Sequence, residues 1–237
     1  MHGIAKLVAG RLTLASVVGL AMALAVAAFV IWAFAELADE VVEGESRAFD
    51  RGVLLWIGDN FPAWMDGPMR AVTALGYYWV VLPLLVLSAA GFYLRDLRIS
   101  AVLLLVATAG GVFLTTVLKA VFGRARPELL DTGYSASFYS FPSGHATVAV
   151  GFYGTLTLLL AYRLQGWKRW SVATAGVALV LLIGFSRLYL GVHYPTDVLA
   201  GYLAAPLWVI SVGVVYALWR AAGGVRQLKV RRRKPRP

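Results

Sequence analysis

Residues Ile99–Leu118, ISAVLLLVATAGGVFLTTVL, run for 20 positions without a charge and stop at Lys119. A helix of that length rises about 30 Å, the thickness of a bilayer's hydrocarbon core. Five further charge-free runs lie on either side: Leu12–Phe34, Ala71–Leu94, Ala146–Tyr162, Trp170–Ser186 and Val198–Trp219. None shows the alternation of a membrane barrel strand. Helices close their backbone hydrogen bonds within one segment, so the expected fold is an all-α, integral membrane bundle of six transmembrane helices. The composition agrees: 60% of residues are hydrophobic and 14% charged, against about 25% charged in a soluble domain. Disorder is excluded, because it requires low hydrophobicity and high charge. With no cysteine, disulfides, thiolate metal sites and cysteine catalysis are excluded too.

The first run follows Lys6 and Arg11, as a signal peptide would. At 23 residues it is longer than a signal's apolar region of about 7 to 15, so it reads as a retained helix. Charge gives the orientation. One side collects Lys6, Arg11, Arg95, Arg98, Arg163, Lys168, Arg169 and the basic residues from Arg220 to Arg236, with Asp96 as its one acid. The positive-inside rule makes that side cytoplasmic, with both termini on it. The formal charge of +10 therefore reflects topology, and no nucleic-acid partner is expected. The tail, residues 220–237, reads as a basic cytoplasmic anchor next to anionic lipid. The whole chain, 1–237, reads as one membrane domain. No pattern in it specifies an oligomeric state.

Three polar clusters fall at one membrane face under this topology. The third run ends in Lys119-Ala-Val-Phe-Gly-Arg-Ala-Arg-Pro127, the fourth opens with Phe141-Pro-Ser-Gly-His145, and the fifth leads into Ser186-Arg187, His193 and Asp197. Lys119, Arg124, Arg126 and Arg187 gathered together repel one another unless an anion sits among them. Guanidinium forks match phosphate oxygens, and lysine adds a point charge. Ser143 and Gly144 stand at a helix entrance, where free backbone N–H groups favour an anion. Asp197 follows His193 by four residues, one helical turn, so its carboxylate can hold the ring's Nδ1 and leave Nε2 free to attack. His145, on another helix, is free to protonate a leaving oxygen. Each residue alone has a plainer reading as a snorkelling cation, a helix cap or a polar turn. Their combination points to phosphate chemistry.

At these positions the sequence resembles the type-2 phosphatidic acid phosphatase superfamily, whose catalytic core is shared with vanadium haloperoxidases. Its three-part signature K-x6-R-P, P-S-G-H and S-R-x5-H-x3-D matches Lys119…Arg126-Pro127, Pro142–His145 and Ser186-Arg187…His193…Asp197. The resemblance covers residues 119–197, and the six-run layout extends it to most of the chain. It implies that His193 is the nucleophile, supported by Asp197, with His145 as general acid. Lys119, Arg126, Ser143, Gly144 and Arg187 would bind the phosphoryl oxygens, with Arg124 a weaker addition. No metal and no cofactor are implied. The implied substrate is a membrane lipid phosphate, such as undecaprenyl diphosphate, phosphatidic acid or phosphatidylglycerol phosphate, cleaved at the extracytoplasmic face of a bacterial inner membrane. A lipid A-type phosphatase or phosphotransferase is the alternative. A vanadate-dependent oxidase fits six charge-free runs poorly, and a transporter would place polar groups near the bilayer midplane. Tyr134, Phe138 and Tyr139, with Trp56, Phe61 and Trp64, can wall a headgroup or simply form an aromatic belt.

Overall fold

A computed structural model describes residues 14–221, except for side chains near its two ends. The basic tail beyond residue 221 lies outside the described residues. Every regular element among those described is helical. The order is α1 (Leu14–Glu43), α2 (Arg47–Asn60), α3 (Asp66–Ala74), α4 (Tyr78–Leu94), α5 (Arg98–Phe122), α6 (Gly144–Ala161), α7 (Gly166–Tyr189) and α8 (Pro195–Ala221). A short 3₁₀ turn, Ala63–Met65, precedes α3. Five of these helices contain segments long and apolar enough to cross a membrane, or six if α3 and α4 together count as one bent span.

Two boundaries differ from the sequence reading in an informative way. The first helix continues past Phe34 to Glu43, because nothing between them breaks a helix: Ala, Leu and Glu are all good helix formers. The expected second span, Ala71–Leu94, is interrupted between Ala74 and Tyr78, where the chain bends by 45°. Gly76 sits in the bend, and a Cβ there would lie 2.5 Å from Cδ2 of His145. The break thus brings a bare backbone against His145, the histidine of the second polar cluster, at the start of α6.

The core lies where α4, α5, α6 and α7 meet. Val81, Leu85 and Ala89 form one stripe of α4 at helical spacing, and they pack with Leu104, Phe152 and Ile183 from the other three helices. On its other side α5 packs against α8, and α8 against α1. Gly110 makes room for the indole of Trp208, whose Nε1 donates to the Val106 carbonyl at 2.9 Å. Outward-facing Phe29, Trp32, Leu87 and Phe113 are exposed, as suits side chains solvated by hydrocarbon. Residues 150–154 belong to a π-helical turn, Ala149–Gly154, that interrupts α6. Gly123, at φ +58, ends α5 in the left-handed region, and the segment from there to Ser143 crosses the end of the bundle as an irregular strap.

Candidate active site

The C-terminal ends of α5 and α7 and the N-terminal ends of α6 and α8 meet under this strap. They enclose a cavity of about 270 Å³ lined by Lys119, Arg126, Gly144, His145, Arg187 and His193, with Tyr77 and Ser135–Ser137 completing the wall. The three sequence clusters, which run from Lys119 to Asp197, therefore meet at one chamber.

His193 is 1% exposed. Its Nδ1 lies 3.3 Å from Oδ2 of Asp197, and Arg126 Nη1 stands 3.1 Å from its Nε2. With the Nδ1 proton directed at the carboxylate, Nε2 carries the lone pair and accepts from Arg126. Burial holds the His193 imidazole well below its usual pKa, and the positive charges of Arg187, Arg126 and Lys119 add to this. A neutral ring is the form a nucleophile requires.

The cations are held by neutral groups. Arg126 donates to the carbonyls of Phe138 (2.8 Å), Ser137 (2.9 Å), Tyr139 (3.3 Å) and Val192 (2.7 Å). Lys119 Nζ donates to the carbonyls of Tyr139 and Ser140. Arg187, 2% exposed, donates through Nη1 to Thr73 Oγ1 at 2.7 Å and to the Tyr134 hydroxyl at 3.2 Å. Carbonyl and hydroxyl dipoles fix the direction of these side chains without cancelling their charge, so the chamber stays electropositive. Tyr134 and Tyr77 join hydroxyl to hydroxyl, and the Tyr77 ring meets His145 edge-on at 4.7 Å.

Of the four buried side-chain polar atoms without a partner among the described residues, three are Ser143 Oγ, His145 Nε2 and Arg187 Nε. Buried polar groups are normally paired, and leaving one unpaired costs about 1–3 kcal/mol. Ser143 does not cap α6 with its hydroxyl, so the plainer reading of that residue does not describe it. Its backbone N–H donates instead to the Asp197 carbonyl at 2.8 Å, tying the α6 entrance to the start of α8.

Arg124 is placed differently from the other cations. It does not line the chamber but bridges two buried carboxylates, with Nη1 2.7 Å from Asp197 Oδ1 and Nη2 2.7 Å from Asp50 Oδ2. Burial alone would lower its pKa, but the two carboxylates outweigh that and raise it. Asp50 is fully buried and also accepts from the Thr196 N–H at 3.0 Å and the Thr196 hydroxyl at 2.7 Å. Asp197 is held further by the Tyr194 N–H at 2.8 Å. Asp50, Thr196, Thr73 and Tyr77 did not stand out as site residues in the sequence. Asp50 had a usable signal: with Leu54 and Ile57 it forms the buried stripe of α2, an acid on an apolar face.

Among the suggested wall aromatics, Tyr134 reaches Arg187, whereas Phe138 and Tyr139 serve through their carbonyls. Phe61 packs on Phe185 and Tyr189, and Trp56 and Trp64 are exposed away from the chamber. Among the described residues no group of three His, Asp or Glu is arranged to hold a metal ion.

Helices built to lie in hydrocarbon, converging on a buried cationic chamber, describe a membrane protein equipped for phosphate chemistry. The profile of the PAP2 superfamily matches residues 100–222. Phosphatidylglycerophosphatase B of Bacillus subtilis is 35% identical over 142 residues, covering 59% of this chain and 69% of the relative. Lipid A 1-phosphatase of Rhizobium etli is 33% identical over 142 residues, covering 52% of this chain and 57% of that protein. Undecaprenyl-diphosphatase of Sulfolobus acidocaldarius is 29% identical over 181 residues, 74% of this chain and 82% of the relative. The crystal structure of a transmembrane PAP2-type phosphatidylglycerolphosphate phosphatase from Bacillus subtilis superposes with a TM-score of 0.72 at 27% identity, covering 81% of this chain and 95% of that one. The chain is thus an integral membrane lipid phosphatase. It belongs to the PAP2 superfamily.

Proposed function

We propose that the chain hydrolyses a phosphate monoester or terminal diphosphate on a membrane lipid of the phosphatidylglycerol phosphate or undecaprenyl diphosphate type, through a phosphohistidine and without a metal. The observation that carries this reading is the chamber itself: three cations with no carboxylate partner among the described residues line it together with His193, whose Nε2 lies 3.1 Å from Arg126 Nη1. Relatives named phosphatidylglycerophosphatase and undecaprenyl-diphosphatase support the substrate class.

In the proposed reaction the phosphoryl oxygens lie among Lys119, Arg126 and Arg187, with the Ser143 hydroxyl and Gly144 N–H at the α6 entrance. His193 Nε2 attacks phosphorus, a P–N bond forms, and the P–O bond to the lipid breaks. His145 gives its proton to the departing oxygen. It then takes a proton from a water molecule that attacks phosphorus, the P–N bond breaks, and inorganic phosphate leaves with His193 restored. Asp197 keeps the Nδ1 proton in place and balances the charge that develops on the ring. Positioning and charge stabilisation are what phosphoryl transfer chiefly demands, and the chamber's cations supply both.

Counting α3 and α4 as one bent span gives six crossings. With the basic loops inside, both termini are then cytoplasmic and the chamber opens extracytoplasmically, in a bacterial inner membrane. The test is phosphate release from undecaprenyl diphosphate and phosphatidylglycerol phosphate by the full chain in mild detergent with EDTA. Release should persist in EDTA, pass through an acid-labile, base-stable phosphoenzyme, and fall by at least about 10³-fold in His193→Ala. Release that stops with EDTA, or that survives His193→Ala, overturns the mechanism.

A further inference from the structure

A second cavity, of about 390 Å³, lies behind the catalytic chamber and shares no lining residue with it. Its polar wall is Arg47, Arg51 and Arg124 with Tyr194, and its apolar wall includes Val41 and Leu129. Arg47 and Arg51 stand four residues apart on α2, one turn of helix, where like charges repel. Among the described residues no carboxylate lies within ion-pair distance of either. Arg124 commits Nη1 and Nη2 to Asp197, Asp50 and Thr196, and its guanidinium lies 4.3 Å above the Tyr194 ring. Its Nε takes no part in these bonds. Three guanidiniums around one hollow, two of them without an ion pair among the described residues and the third with a donor to spare, make a receptor for a multidentate oxyanion.

Position narrows the ligand. Val41 belongs to the last turn of α1, and Arg124 follows α5 by two residues. Both helices carry apolar membrane-span segments, so the cavity sits at the end of two spans, at the depth of lipid headgroups. Its apolar wall suits a glycerol backbone or the start of an acyl chain. We propose that this cavity is a second anion site that binds a phosphate group, supplied by the headgroup of an anionic phospholipid or by free phosphate. Occupancy reaches the catalytic pair through one residue: Arg124 touches the anion on one side and Asp197 on the other.

The test is native mass spectrometry of the detergent-solubilised full chain, titrated separately with dioleoylphosphatidylglycerol, dioleoylphosphatidylcholine and inorganic phosphate. Wild type should bind one phosphatidylglycerol in preference to phosphatidylcholine. The double variant Arg47→Gln, Arg51→Gln should lose at least about tenfold in that affinity, since it removes two charge-assisted contacts, while its melting temperature in detergent without added lipid stays that of wild type, as proof of folding. Arg126→Gln, which alters the catalytic chamber, should leave the affinity unchanged. Competition by inorganic phosphate at equal strength identifies free phosphate as the ligand, and failure to compete identifies the lipid. The proposal is overturned if wild type binds neither probe, if the double variant binds as wild type does, or if Arg126→Gln is the change that abolishes binding.

Discussion

Asp50 and Arg124 meet at 2.7 Å, both withdrawn from solvent, and they join α2 to the strap and to the start of α8. The contact lies 74 positions apart in sequence. Asp50 falls outside the stretch that matches the family profile, residues 100–222. Arg124 in turn lies 2.7 Å from Asp197 Oδ1, and Asp197 Oδ2 lies 3.3 Å from His193 Nδ1.

Asp50→Asn preserves shape but removes one of the two negative charges on Arg124. Partners one step removed from a functional ligand are typically worth about 10–100-fold, so kcat should fall by that factor with KM little changed. The ring ¹⁵N resonances of His193 should shift in this variant, a response that a residue serving only as packing would not give. Thermal unfolding in detergent separates this effect from destabilisation.

Arg187→Lys keeps the charge but loses the Nη1 bonds to Thr73 and Tyr134 and the buried, unpartnered Nε. Loss of an oriented donor at a phosphoryl site costs about 10²-fold or more, and a lysine's point charge restores part of it. A fall of about 10–100-fold in kcat/KM is expected, read from steady-state phosphate release. Wild-type kinetics in this variant would show that Arg187 does not touch the phosphoryl group.

His193 is predicted to remain neutral below pH 6.5, its ordinary value, because burial and then the surrounding cations oppose its protonation. Between 6.5 and the lower folded value the unfolded chain binds a proton that the folded chain does not. Stability therefore falls as pH drops through that window and rises as pH increases through it. Histidine ¹⁵N shifts, assigned by comparison with His193→Ala, should show a neutral Nδ1–H tautomer just below pH 6.5. A doubly protonated ring there would contradict the electrostatic account.

Gly201→Ala tests the seam between α6 and α8. A Cβ at Gly201 would stand 2.6 Å from the Ser143 carbonyl oxygen and 2.8 Å from Ala146 Cβ, in a region with no flexible side-chain tip to yield. Overpacking of this kind costs about 1–3 kcal/mol. Both the melting temperature and phosphate release should drop, because the displaced turn carries Ser143, Gly144 and His145.

The spans and the chamber's main residues were legible because each depends on local pattern. Ile99–Leu118 announces itself by length without charge, and Lys119 to Pro127 follows at its end. The break at Leu75–Tyr77 was not legible: residues 71–94 carry no charge, and the approach of His145 to Gly76 is visible only once the helices are packed. Arg124 was read with the other cations since spacing alone cannot separate a side chain that faces the chamber from one that faces Asp50. Asp50 itself lies among other acids between Glu36 and Asp66, and its importance depends on a partner 74 positions away. Contacts of that range are set by packing, which no single stretch records.

Arg126 takes its bearing from carbonyls of Ser137, Phe138 and Tyr139, all on the strap that roofs the chamber. Roof and armament are therefore one object. Lifting the strap to admit a headgroup from the water would take away the bonds that aim the arginine, whereas a phosphate sliding in beneath it, between helix ends, would find the arginine already set. An entry that leaves the strap seated is the one that keeps Arg126 aimed at the chamber.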